Sequence, residues 1–107
     1  MRYEFYLNTA KDVNGIPVGF FGYRDGHELV LAYKGDTVDG TQLDVCEDLF
    51  SKFNINHPED YRNRSMSVGD VVVLSDKQGT YAYAVAFVGF IAIAVPAAAY
   101  PGPWGDR

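Results

Sequence analysis

The longest apolar run in the chain, residues 80–95 (TYAYAVAFVGFIAIAV), alternates large and small side chains at every second position. Tyr81, Tyr83, Val85, Phe87, Ile91, Ile93 and Val95 are bulky, with Ala82, Ala84, Ala86, Ala92 and Ala94 between them. A period of two belongs to a strand, whose successive side chains point to opposite faces. The uncharged stretch 81–100 has about the length of a membrane span. Alanine is only weakly hydrophobic, however, and Gly89 and Pro96 interrupt the run. The pattern predicts core strands and no membrane anchor. Its phase slips at Val88-Gly89-Phe90, which predicts two segments bent at Gly89. The bulky face, with Val85, Ile91 and Ile93, is expected in the core, and truncating Ile91 to alanine is expected to cost roughly 2–5 kcal/mol. The alanine face is left for a closely packed helix.

Residues 2–9 (RYEFYLNT) alternate in the same way and predict a first strand. Residues 16–23 (IPVGFFGY) and 27–33 (HELVLAY) read as two more, joined by Arg24-Asp25-Gly26, where Asp-Gly signals a hairpin. The period then changes. Leu43, Cys46, Leu49, Phe50 and Phe53 recur at spacings of three and four, predicting a helix over 42–53 with one apolar stripe. Thr41 with Asp44 three residues on resembles a capping box. Asp44, Glu47 and Asp48 fall off the stripe, and Asp48 can pair with Lys52 at i+4. A polar connector, a turn at Gly69-Asp70 and the β-branched run VVVL lead into the long apolar stretch. The order β-β-β-α-β-β-β predicts a small α+β domain over residues 1–95, a mostly antiparallel sheet packed on one helix. Residues 96–107 read as a Pro/Gly-rich tail in which Trp104 alone suggests docking.

Composition narrows the class without changing it. The 107 residues are 48% hydrophobic and 21% charged, enough for one packed core. The single cysteine excludes an internal disulfide and fits a reducing cytosol. The first ten residues lack the apolar stretch of a secretory leader, so a cytoplasmic location is expected. The net charge of −5 gathers between Asp36 and Asp60, a face that repels a phosphate backbone and could meet a basic partner.

Candidate chemistry is sparse. Cys46 lies on the apolar stripe and reads as a buried structural thiol. His27 and His57 have no ligand spacing for a metal. The GFFG of residues 19–22 is not a phosphate loop, and the carboxylates lie on an exposed helix face where nothing raises a pKa. No catalytic set, metal or cofactor is expected. The most specific stretch is YRNRSMSVGD, residues 61–70. Gly69-Asp70 is expected to form the turn that launches a strand, its carboxylate taken up locally, so Asp70→Ala is expected to cost about 1 kcal/mol or somewhat more. An arginine there could clamp a carboxylate with its fork. Alternatively, Arg62 and Arg64, with Tyr61 stacking, could contact an anion or RNA.

These same residues resemble the YodL-like family, small bacterial proteins and domains also found on phages and mobile elements. The resemblance runs from about Cys46 to Ile93. The family pattern, Arg/Ser-(Leu or Met)-Ser-Val-(Gly or Ser)-Asp-Val-(Val or Ile), is met at Arg64, Ser65, Met66, Ser67, Val68, Gly69, Asp70, Val71 and Val72. The later Tyr-x-Val-x-x-x-Gly-(Phe or Trp) is met at Tyr83, Val85, Gly89 and Phe90. Ala86 departs from the Asp or Cys often found at its position. The resemblance implies a non-enzymatic protein, an accessory factor of a phage or mobile element that binds and modulates a host protein.

The expected partner is thus a host protein with some basic surface, or a second copy through an edge strand. The expected contact residues are Phe20, Phe21 and Tyr23, the acidic Asp44, Glu47 and Asp48, and Arg62 and Arg64. The competing expectation is a nucleic-acid-associated domain using Arg62, Arg64 and Tyr61, which the net charge disfavours.

Overall fold

Each period-two segment but one becomes a strand in the computed structural model, which describes residues 1–37 and 40–97. The strands are β1 (Arg2–Asn8), β2 (Leu29–Asp36), β3 (Val71–Asp76), β4 (Gly79–Val85) and β5 (Phe90–Ile93). All pair antiparallel in the order β2-β1-β3-β4-β5, leaving β2 and β5 at the edges. The single helix among the described residues, α1 (Gln42–Ile55), crosses from β2 to β3. The α+β class and the antiparallel sheet on one helix agree with the sequence pattern. The tail lies outside the described residues from position 98 onward.

The helix forms where the stripe and cap place it. The Thr41 hydroxyl accepts the Asp44 N–H at 3.2 Å, satisfying one of the free donors of the first turn. Val45, Cys46, Leu49 and Phe53 are buried against Tyr3, Phe5 and Leu7 of β1, Val72 and Leu74 of β3, and Val85 of β4. Phe53 sits at the centre, its ring 4.9 Å from those of both Phe5 and Tyr61. Leu43 departs from expectation: it is exposed, and Val45 takes its place in the core. Lys52 extends over the Tyr3 ring at 5.8 Å rather than pairing with Asp48. The opposite face of the sheet buries Tyr6, Val71, Val73, Ala82 and Ala84, with Tyr23, Leu29, Ile93 and Val95 packed on them.

Three expectations fail for identifiable reasons. Residues 16–23 form no strand. The outer edge of β2, where its hairpin partner would pair, stays open; the start of the segment is bonded back to the chain just before it, the Asp12 N–H donating to Ile16 O and the Val18 N–H to Ala10 O. Instead Gly19–Phe21 makes one 3-10 turn, with the Phe21 N–H donating to Val18 O and the Gly22 N–H to Gly19 O. The Asp25-Gly26 turn forms, closed by the His27 N–H on Arg24 O, but it leads from this turn rather than from a strand. Second, Gly89 does not bend one long strand. With φ at +71°, it closes a tight loop of residues 86–89 between β4 and β5, where the Ala86 N–H donates to Gly89 O.

The third failure follows from that loop. The register pairs Val85 with Phe90 and Ala84 with Ile91, so each odd-numbered residue of β4 sits opposite an even-numbered one of β5. Directly paired residues share a face. Phe90 therefore joins Tyr83 and Val85 under the helix, and the alanine face of β4 lies on the far side with Ile91 and Ile93. Ile91 is 58% exposed, not buried, and Phe87 is carried out to the loop tip.

Candidate functional site

The stretch 61–70 is a buckle that joins four segments. The Asp70 carboxylate, fully buried, accepts four hydrogen bonds. Its Oδ1 takes the Asn8 N–H at 2.8 Å and Arg64 Nη2 at 2.7 Å; its Oδ2 takes Arg64 Nη1 at 2.7 Å and the Ser67 N–H at 2.8 Å. This is the bidentate fork geometry that suits arginine to a carboxylate. The bond to Asp70 holds the Arg64 pKa above its ordinary value, against the opposing effect of burial. The local turn was legible in the sequence; the bond to Asn8, from β1, was not.

Neighbouring groups extend the network to the loop ahead of β2. Asn8 Nδ2 donates to Gly69 O at 3.0 Å and lies 3.0 Å from His27 Nδ1. The Arg24 N–H also points at His27 Nδ1, at 3.2 Å. Two donors aimed at Nδ1 assign the ring proton to Nε2. The Gly69 N–H donates to Val85 O and the Val85 N–H to Asp70 O, tying the buckle to the end of β4. Gly69 has φ of +90°, and a Cβ there would lie 1.9 Å from Gly19 O. The 3-10 turn thus rests directly on the buckle, and the Arg64 guanidinium stands 5.4 Å from the Phe20 ring centroid.

What this scaffold positions is an apolar groove. A cavity of about 310 Å³ opens between the 3-10 turn and the back of the β4–β5 hairpin. Phe21, Tyr23 and Arg24 form one wall, Phe87, Ile91 and Ile93 the other, and Ala84 lies between. Two of its side chains are unusually exposed for apolar groups, Phe21 at 75% and Phe87 at 76%, and Val88 beside Phe87 is 92% exposed. On the other side of the hairpin, a smaller hollow of about 130 Å³ lies among Glu47, Phe50, Phe87 and Phe90. A wider, more open depression of about 580 Å³ runs past Thr9, Lys11, His27 and Glu28 but has no aromatic lining.

The expected contact residues therefore separate into groups. Phe21 and Tyr23 come together at the groove, in and just after a turn rather than on a hairpin strand, while Phe20 stands apart over the Arg64 guanidinium. Asp44, Glu47 and Asp48 are exposed on α1, and of these Glu47 borders the hairpin. Arg64 is held inward by Asp70, while Arg62 donates to the Glu59 carbonyl, so the two arginines form no shared patch. Tyr61 is buried among Phe5, Tyr33, Phe53 and His57, its hydroxyl donating to Arg64 O, and offers no ring for a base to stack on. Sequence reasoning missed Phe87, Val88 and Ile91. The phase slip at Val88-Gly89-Phe90 was the signal that could have found them, since a tight loop there must expose whatever it carries.

Cys46 is fully buried, and burial, with a smaller contribution from Glu47, pushes its thiol up to about 12. Among the described residues, no group of three or more His, Cys, Asp or Glu side chains could hold a metal ion. No helix among them is long and apolar enough to cross a membrane.

Neither the curated proteins nor the solved structures gave a match. The family model of the YodL-like domain matches residues 15–95. That span holds both walls of the groove, the helix and the whole of the buckle except Asn8, and on it the chain belongs to the YodL-like domain family.

Proposed function

We propose that the chain is a non-enzymatic protein-binding module whose contact surface is the groove between the 3-10 turn and the β4–β5 hairpin. The observation that carries this is the exposure of Phe21, Phe87 and Ile91 around a formed cavity, with exposed Phe20 and Val88 next to them in the chain. Aromatic anchors beside a pocket are where interface energy concentrates, and a contiguous apolar patch on a small domain marks an interaction site. The acidic residues of α1 give the partner its character, a host protein with some basic surface, in keeping with the accessory role that the family resemblance implies. The nucleic-acid alternative has less to rest on, since Tyr61 is in the core and Arg64 is engaged by Asp70.

The test is quantitative affinity capture from bacterial lysate with three baits: the parent, Phe21→Ser with Phe87→Ser, and Glu47→Lys with Asp48→Lys. A protein retained by the parent should be lost on the first variant. On the second it should bind more weakly, most of all at low salt. Equal retention by the parent and the aromatic variant would rule the groove out.

A further inference from the structure

The hairpin that walls the groove also presents an open sheet edge, and the register shows which backbone groups it offers. The N–H and C=O of Val85 are bonded to Asp70 and Gly69, on the β3 side. Successive residues of a strand direct these groups to alternate sides, so Ala84 and Ala82 turn theirs toward β5. Their register partners there are Ile91 and Ile93. Phe90 and Ala92 therefore direct their N–H and C=O outward, where no strand of the described residues lies. Such an edge is a template for another chain.

The two faces flanking this edge differ in chemistry. Toward the helix lie Glu47 and the Phe90 ring, in a protein of net charge −5. Toward the groove lie Ile91 and Ile93. A strand added to β5 would place alternate side chains on these two faces. We propose that β5 is the docking edge for an extended segment of a partner protein in which apolar and basic residues alternate, the apolar ones packing on Ile91 and Ile93 at the groove mouth and the basic ones meeting Glu47. This rests on the groove as the contact surface and adds the form of what enters it. A second copy fits less well, because it would bring another acidic chain to an edge already bordered by Glu47.

The probe is a blocked peptide of about eight residues alternating valine and lysine, long enough to span an ordinary strand. In its presence, amide hydrogen exchange should slow at Phe90 and Ala92, and Ile91 and Ile93 should change little. Ala92→Pro removes one outward N–H while sparing the β4–β5 bonds, as edge strands permit, and should weaken binding at least tenfold. Methylating the lysine nitrogens should abolish binding of an antiparallel segment, and methylating the valine nitrogens that of a parallel one. A peptide that binds equally with either set methylated overturns strand addition. If Ala92→Pro does not fold, Glu47→Lys serves instead and should transfer preference to a valine/glutamate peptide; an unchanged preference counts against the proposal. Loss on Phe21→Ser with Phe87→Ser but not on Ala92→Pro keeps the groove and overturns the strand. Loss on neither overturns both. A dimer of the parent that Ala92→Pro dissolves, without peptide binding, would give the edge to a second copy and refute the proposal.

Discussion

Asp70→Ala removes the acceptor on which four donors converge, and its cost follows from what each donor does next. The Asn8 N–H lies at the buried end of β1, and Asp70 Oδ1 is its acceptor. An orphaned buried donor costs about 1–3 kcal/mol. The Ser67 N–H is half-buried and recovers part of its loss from water. Arg64 is 36% exposed, so solvent screens its charge once the pair is broken, and its share is held to about 1 kcal/mol. Together these give about 3 kcal/mol, well above the local-turn expectation of about 1 kcal/mol. At roughly 4–8 °C per kcal/mol for a domain near this size, the melting temperature should fall by roughly 12–24 °C. Urea unfolding of the parent, Asp70→Ala, Arg64→Ala and the double variant would measure both the loss and the coupling, which should reach about 1–3 kcal/mol for groups in direct contact. Asp70→Asn should not rescue, since whichever way the amide is turned its N–H₂ would confront both Arg64 and a backbone donor. A melting temperature within a few degrees of the parent, or strictly additive single losses, would refute the view of this pair as the buckle of the fold.

The core and groove assignments separate cleanly by truncation. Phe53→Ala should cost about 3–5 kcal/mol in urea unfolding, while Ile91→Ala should cost under about 1 kcal/mol, because more than half of that side chain is already in water. Equal losses would contradict the register of the hairpin. Gly69→Ala adds a methyl against Gly19 O at a positive φ and should lower the melting temperature sharply; a neutral outcome would mean that the 3-10 turn does not rest there. The Cys46 thiol, at about 12 against an ordinary 9.0, keeps its proton in the folded chain after the unfolded chain has lost it. Stability should therefore fall as pH rises from about 9 toward 12, and Cys46→Ala should make that decline shallower. Tyr3, raised to about 12 chiefly by burial, contributes to the same decline and should remain visible in the variant.

Periodicity made the architecture legible, and it failed where a neighbour or a turn decided the outcome. The stripe of α1 and the alternation of β1, β3 and β4 are local properties that any packed version of the chain must respect. Residues 16–23 alternate almost as well, but their start is bonded back to residues 10–12 and Gly19 is packed against Gly69, so they do not line up along the open edge of β2. Ile91 was misplaced because parity along one strand carries across a hairpin only if the loop preserves it. At the site, the Gly69-Asp70 turn and an arginine clamp could be anticipated from spacing within ten residues. The contribution of Asn8, more than sixty residues away along the chain, could not. Of the groove, one wall was named in advance as aromatic anchors, and the other lay hidden in a run read as core.

The claim that the groove is a contact surface is tested most directly by site-specific photocrosslinking in bacterial cells. A photoreactive phenylalanine analogue would be placed in turn at Phe21, at Phe87, at Asp48 on α1, and at Val13, which is 99% exposed and does not line the cavity. A single protein adduct, shared by positions 21 and 87 and absent from position 13, is the predicted result, since both side chains border one cavity. Adducts from position 48 or 13 with none from 21 or 87 would contradict it.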